Sequence, residues 1–367
     1  MQTERPGPEM PARTPDNSGT GLGVIVVLHR SGDVIRDCIE SLIRQGNAVS
    51  CIVLVENGCP EASGEVAIKT ARAHGLEIEQ RLARDAANQN RSGRIVLIRS
   101  TENLGFAGGV NLGLKALKAD PDLGFFWVLN PDCTVPTGAA ERLLADARAE
   151  GAEGFSLMGM RVLYRATPST IQSDGSIWCR WTGRCRSLHQ GGQPDQTFLP
   201  RAETLDFVSG ASMVASRVFL DRAGLMPEDY FLYYEEVDWA ARRGALPLAI
   251  SQSAHVEHDG GTAIGSGAIN RAASPLSVFF NTRNRMRFVR RYRPAALPVA
   301  YLFGVAKILQ NLLRRQIPQA TAAFRALHGL PPPRVVAERI ATRDHPRAFG
   351  RSAPQEKHVT APLREPA

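Results

Sequence analysis

Phe125-Phe126-Trp127-Val128-Leu129-Asn130-Pro131-Asp132 is an apolar run of strand length that stops on a turn and a carboxylate. A strand that is apolar on both faces must be covered on both faces, a condition met chiefly in parallel sheets sandwiched between helices. Three similar runs precede it: Gly23-Val24-Ile25-Val26-Val27-Leu28, Cys51-Ile52-Val53-Leu54-Val55 and Ile95-Val96-Leu97-Ile98. After the first, Asp33 is placed to cap a helix in which Ile35, Cys38, Ile39, Leu42 and Ile43 recur at helical spacing. Buried strands alternating with helical segments predict an α/β fold with a mainly parallel sheet and helices on both faces. Ligands of such sheets gather beyond the carboxyl ends of the strands. That rule singles out Glu56-Asn57-Gly58 after the second run, Asn103 after the third and Asn130-Pro131-Asp132 after the fourth.

Between the third and fourth strands lies Asn103-Leu104-Gly105-Phe106-Ala107-Gly108-Gly109-Val110-Asn111-Leu112-Gly113. Its glycines allow backbone to come close to a ligand, and equally allow a helix to pack tightly; Asn111 offers a polar edge on that helix. It is not a dinucleotide fingerprint, because the Gly-x-Gly-x-x-Gly spacing is missing and it does not follow the first strand. Further along come Tyr233-Tyr234-Glu235-Glu236-Val237-Asp238 and then His258. Singly, an Asn-Pro-Asp turn, an acidic helix face and one of eight histidines are ordinary. In this order they supply a strand-end carboxylate, an acidic cluster and an imidazole. Asp132 and His258 suit one hard divalent cation, Mg²⁺ or Mn²⁺, and Glu235, Glu236 or Asp238 could serve as a general base.

The ordered motifs resemble the family 2 inverting glycosyltransferases of GT-A fold, in particular the rhamnosyltransferase-like branch. The resemblance runs from about Gly21 to Pro294. It also rests on Phe207-Val208-Ser209-Gly210-Ala211, Phe231-Leu232-Tyr233-Tyr234-Glu235-Glu236-Val237-Asp238-Trp239, His258-Asp259-Gly260-Gly261-Thr262 and Asn281-Thr282-Arg283-Asn284. It implies a nucleotide-sugar-binding half over residues 21–150 and an acceptor-binding, catalytic half over 151–274. Donor contacts are implied for Leu28, Glu56, Asn57, Gly105, Phe106, Gly108, Asn111, Asn130 and Asp132, with Glu56 reading the base. Glu236 matches the carboxylate that deprotonates the acceptor, and His258 a histidine that completes the metal or diphosphate site. Glu56 and Glu236 each stand where the family more often has Asp, which leaves the base open between Glu235 and Glu236; Asn130 is a neutral amide where an acid would strengthen the metal site. The implied reaction moves a sugar, on this branch rhamnose from dTDP-rhamnose, to a hydroxyl of a lipid-linked or cell-surface glycan.

Several features bear on the rest of the chain. A nucleotidyltransferase would carry a glycine-rich basic loop after its first strand, whereas His29-Arg30-Ser31-Gly32-Asp33 stands there. A non-catalytic carbohydrate- or membrane-binding protein of the same fold is the other alternative. Ser173-Asp174-Gly175-Ser176-Ile177-Trp178 and Trp181-Thr182-Gly183 read as a β-hairpin, and Phe207 to Val214 as a buried strand, with Asp206 beside it a further acceptor contact. The six cysteines lack zinc spacing and read as reduced thiols. Residues 1–20 form a Pro- and Gly-rich flexible lead without the apolar core of a signal peptide, so a cytoplasmic location is expected.

The net charge is +8, and from Arg283 onward 17 Lys and Arg stand against 4 Asp and Glu. No helix-turn-helix, zinc or RNA-binding signature accompanies these cations, so nucleic acid is not the expected partner. Arg283, Arg285, Arg287, Arg290, Arg291 and Arg293 interleave with Met286, Phe288 and Tyr292, and the apolar run Ala295 to Leu313 is interrupted by Pro298, Gly304 and Lys307. Residues 275–328 are therefore expected to be a basic, apolar helical extension lying on an anionic membrane surface, short of a clean span. Residues 329–367, opening on Pro331-Pro332-Pro333, read as a disordered tail.

Overall fold

The structure is a computed structural model that describes residues 19–87, 93–151, 154–260 and 272–350. The lead up to residue 18, Gly261-Thr262 and the tail beyond residue 350 lie outside the described residues. The chain opens with strand β1 (Gly21–Leu28), helix α1 (Ile35–Ile43), β2 (Cys51–Asn57), α2 (Ser63–Ala73), β3 (Ile78–Leu82), β4 (Ile95–Ser100), α3 (Gly105–Lys118) and β5 (Leu123–Leu129). The four strands read from the sequence are thus present. β3 was not expected: its Ile-Glu-Gln-Arg-Leu is a half-buried edge strand without a continuous apolar run. Asp33 does not cap α1. The helix starts from the Ser31 carbonyl, which accepts from the Val34 and Ile35 amides, and Asp33 is exposed.

Next come β6 (Cys133–Thr134), α4 (Ala139–Ala149), β7 (Leu157–Tyr164), β8 (Thr167–Ser173), β9 (Ser176–Trp178), β10 (Cys185–Ser187), β11 (Ser212–Ser216), α5 (Arg217–Ala223), α6 (Glu235–Ala241) and β12 (Ala249–His258). The main sheet runs β3-β4-β2-β1-β5-β11-β7-β12-β6, with β8 paired to β7. Its first five strands are parallel; β11 is antiparallel to both neighbours. β9 and β10 form the expected hairpin. From β1 the chain passes to β2 on one side and later to β5 on the other, so a topological switch point opens beyond the carboxyl end of β1.

Alternation along β1 shows why the sheet needs two helical layers. Leu22, Val24, Val26 and Leu28 pack with α1 and α4, while Ile25 and Val27 pack with α3 and, beyond it, α6. The glycines of α3 set how closely it lies: a Cβ at Gly109 would stand 2.7 Å from Val27 Cγ1, and one at Gly113 2.5 Å from Ile25 Cγ2.

The carboxyl-terminal helices are α7 (Pro275–Tyr292), α8 (Leu297–Leu313), α9 (Ile317–Leu327), α10 (Arg334–Ala337) and α11 (His345–Phe349). The arginines of α7 correct the expected lipid-facing basic surface. Arg283 donates to the carbonyls of Tyr230 and Ala348, Arg285 to those of Thr182 and Ala300, Arg287 to that of Asp229, and Arg291 pairs with Asp229 and Asp238. These four cations point into the protein. The helical stretch Pro294–Leu313, in contrast, is 20 residues long with mean hydropathy 1.4, long and apolar enough to cross a membrane by length and composition, and only 17% buried. Residues 334–350 are not the disordered chain expected of them. Val336, Ile340 and Ala348 are buried against Phe279 and Phe280 of α7, with Phe349 packed beside them, and the Asp344 carboxylate accepts from the Asn103 amide.

Gly113→Val should force α3 off the sheet and lower stability by about 1–3 kcal/mol, read as a fall in the thermal midpoint. An unchanged midpoint contradicts the close packing.

Candidate active site

A cleft lies beyond the carboxyl ends of β1, β2 and β5. His29, Arg30 and Ser31 line it from β1, Asn57 from β2, and Asn130, Pro131 and Asp132 from β5. Asn103, Gly105, Phe106 and Phe231 close one side, and Arg339 with Ile340 reaches it from the carboxyl-terminal segment.

Asn57 shapes this wall rather than merely bordering it. Its Nδ2 donates to the Gly105 carbonyl at 2.9 Å and its Oδ1 accepts from the Leu104 amide at 2.8 Å. Gly105 has φ +76°, and a Cβ there would meet the Phe231 carbonyl oxygen at 2.5 Å. The same carbonyl accepts from the Phe106 amide at 2.9 Å. The glycine-rich stretch is thereby stitched to the segment that carries the later acids.

Four of the expected donor contacts are placed elsewhere. Leu28 is buried among the α1-side core residues. The Glu56 carboxylate accepts from the Gly64 amide at 2.7 Å and pairs with Arg99, which fixes the start of α2. Asn111 exchanges hydrogen bonds with the Met226 backbone, 2.9 Å to its carbonyl and 3.0 Å from its amide. Gly108 packs against Leu104 and the Glu228 side chain. Asn57, Gly105, Phe106, Asn130 and Asp132 do line the cleft. Sequence reasoning missed Arg30, whose backbone is left-handed (φ 54°) and whose buried Nε has no hydrogen-bond partner. Its signal was its place directly after the first strand.

Asp132 and His258 meet although 126 positions separate them, because β12 pairs antiparallel with the two-residue β6 and sets His258 opposite Cys133. Asp132 Oδ1 lies 3.0 Å from His258 Nε2, and both side chains are buried. On the far side of the ring, Nδ1 lies 2.6 Å from Gln172 Oε1. With Nδ1–H donating to Gln172, Nε2 is left as an acceptor that has the Asn130 Nδ2 at 3.3 Å as a donor and the Asp132 carboxylate at 3.0 Å, a place where a cation would bridge nitrogen and oxygen. A carboxylate oxygen and an oriented imidazole fit a divalent cation that completes its shell with phosphate oxygens and water. Cys133 Sγ lies within 4.8 Å of both ligand atoms; burial pushes its thiol well above the usual range, and Sγ–H donates to the Ala211 carbonyl.

The three acids of α6 have different surroundings. Asp238 is fully buried and accepts from Tyr230 and Tyr292 hydroxyls at 2.7 and 2.9 Å, from Arg242 at 2.6 Å and from Arg291. These donors occupy it as a structural anchor, which removes it from the candidate bases. Glu235 is buried with Oε2 unpaired, and burial with the neighbouring Glu236 pushes its carboxyl well above the usual range. Glu236 is half-buried and lies beside Phe106, both side chains 3.9 Å from where a Cβ of Gly210 would stand. Burial raises its carboxyl to about 7. Of the three, Glu236 is the one that is not fully buried.

Residues 23–170 match the model of the family described as Glycosyl transferase family 2. A low-salt glycan biosynthesis hexosyltransferase, Agl10 of Haloferax volcanii, is 24% identical over 247 residues, 64% of this chain and 75% of the relative. Among solved structures, the mannosyltransferase PcManGT of Pyrobaculum calidifontis in complex with GDP-Man and Mn²⁺ aligns at 13% identity and TM-score 0.47, covering 86% of this chain and 77% of its own. S. aureus TarS 1-349 in complex with UDP-GlcNAc aligns at 12% identity and TM-score 0.45, covering 90% and 88%.

A raised carboxyl predicts a pH signature. Because folded Glu236 binds its proton more tightly than the unfolded chain does, its contribution to stability is full below about pH 4.5 and is lost as pH rises through about 7. Across that window the wild type should lose stability relative to Glu236→Gln in chemical denaturation. Parallel curves contradict the raised carboxyl.

Proposed function

We propose that the protein is a metal-dependent, inverting glycosyltransferase that transfers a sugar from a nucleoside diphosphate to a hydroxyl of a glycan acceptor. One observation carries the reading: Asp132, which lines the strand-end cleft, is paired with His258 in a cation-competent site, in a chain whose residues 23–170 match the family 2 glycosyltransferase model; the carboxyl of Glu236, raised to about 7, is the candidate base. Glu236 takes the proton of the acceptor hydroxyl as its oxygen bonds to the anomeric carbon. The bond from that carbon to the diphosphate oxygen breaks with its electron pair, and attack from the opposite side inverts the configuration. A base whose pKa lies near the working pH is largely available yet still basic enough to help, an effect of roughly 10²–10⁴ in rate.

Asp132 and His258 would hold the divalent cation, Mg²⁺ or Mn²⁺, which supplies charge neutralisation for the departing diphosphate. Arg30, with its unpaired buried Nε, adds positive charge to the same wall. The branch resemblance favours dTDP-rhamnose as donor. The exposed apolar face of α8, bearing Leu302, Leu309, Leu312 and Leu313, favours work at the inner face of the cytoplasmic membrane on a lipid-linked glycan. The six cysteines form no disulfide, in keeping with that compartment.

Binding and slow hydrolysis across a panel of nucleotide sugars, with and without Mn²⁺, test this reading. Metal-dependent binding of one sugar nucleotide with release of its nucleotide is expected, and no response to any donor contradicts it. Asp132→Ala should abolish the metal dependence of binding in calorimetry. Glu236→Gln should keep donor affinity while lowering turnover by about 10²-fold or more; near-normal turnover would move the base to Glu235.

A further inference from the structure

A second opening lies between α7, α8, α9 and the β9–β10 hairpin, a groove of about 540 Å³. Among the described residues its wall holds four cations, Arg184, Arg285, Lys307 and Arg314, and no Asp or Glu. Arg285 is fixed: it donates to the Thr182 and Ala300 carbonyls at 2.9 Å each, and its guanidinium sits 4.9 Å from the Phe303 ring centroid. Lys307 Nζ lies 5.6 Å from the centroid of the same Phe303 ring and donates to Gln310 at 2.8 Å. Burial, and then the like charges of Arg184, Arg314 and Arg285, push the Lys307 ammonium below its usual range. The cluster thus carries mutual repulsion that a bound anion relieves.

Two neighbours tell what kind of anion. Along the lower end of α8, groove residues Gln310, Asn311 and Arg314 alternate with the exposed Leu309, Leu312 and Leu313, so charge and apolar surface share one edge. Cys185 and Tyr234 also line the groove, and both lie within electrostatic reach of Glu236. The groove therefore leads from an apolar strip toward the acid assigned as base.

We propose that this groove binds the phosphate or diphosphate of a lipid-linked acceptor, with the lipid chain laid along α8 and the glycan directed toward Glu236. The proposal rests on the transferase reading above and assigns the place where the acceptor's phosphate is held. Bulk phospholipid headgroups share the phosphate chemistry, but they would not require a groove that continues to Tyr234.

The test uses the full chain and farnesyl diphosphate, with farnesol as the uncharged control. Farnesyl diphosphate should bind at least about ten-fold more tightly than farnesol and should not be displaced by saturating dTDP. The double variant Lys307→Gln/Arg314→Gln should weaken it by about ten-fold or more, the loss of two charge-assisted contacts. Arg184→Gln, on a different element, should weaken it in the same direction, with thermal midpoints confirming that each variant is folded. Equal affinity for farnesol, displacement by dTDP, or unchanged affinity in the folded variants overturns the proposal. Phosphatidylglycerol vesicles separate the sources: if the double variant loses only vesicle binding and keeps farnesyl diphosphate, the cations serve the bulk surface and the proposal falls. Metal-dependent nucleotide binding to the wild type, measured alongside, reports on the transferase reading independently of the groove.

Discussion

The site depends on one amide. Asn284 Nδ2, on α7, lies within hydrogen-bond distance of the carbonyls of Tyr230, Leu232 and Tyr233, at 3.0, 2.7 and 3.0 Å. The turn it holds puts Phe231, Tyr233 and Tyr234 at positive φ, 67°, 68° and 76°. Left-handed backbone at side-chain-bearing residues costs on the order of 1–3 kcal/mol each and persists only where surroundings over-determine it. Here they do: Phe231 stacks on Phe280 at 5.4 Å, the Tyr233 hydroxyl lies 3.0 Å from Ser277 Oγ, and the Tyr234 hydroxyl donates to the Gly183 carbonyl at 2.7 Å. The product of this strain is the entry angle of α6, and with it the outlook of Glu236.

The same turn ties the two halves of the chain together. Its Phe231 carbonyl receives the Phe106 amide, so the wall of the cleft is bonded to the turn that leads into the acid-bearing helix. Arg291 and Arg242 anchor Asp238 from the other side. A buried carboxylate with several charge-assisted donors is strongly destabilising to leave unpaired, which makes α7 part of the site's foundation. The basic character of the carboxyl-terminal region therefore has two uses: cations turned inward on α7, and cations turned toward the groove along α8.

The central sheet was legible in the sequence because buried parallel strands write themselves as continuous apolar runs. The half-polar edge strand Ile78–Leu82 leaves no such trace. The residues of the metal pair were legible by type and order, but their meeting depends on a two-residue strand, Cys133–Thr134, that no pattern announces. Glu235, Glu236 and Asp238 could not be separated, since only the tertiary donors around Asp238 show it to be an anchor. The arginines of α7 were visible as charge but not as direction. Pro331-Pro332-Pro333 resembles a linker, yet the apolar residues beyond it are enough to dock on the Phe279–Phe280 face. Arg30, by contrast, stood at a position the fold rule already pointed to.

The most direct measurement of the account is the pH dependence of nucleotide-sugar hydrolysis by the wild-type protein at saturating metal. The account predicts a rate that rises with pH through a single ionisation near 7 and then levels, the carboxyl of Glu236 losing its proton to become the base. A rate that is flat from pH 5 to 8 would contradict it.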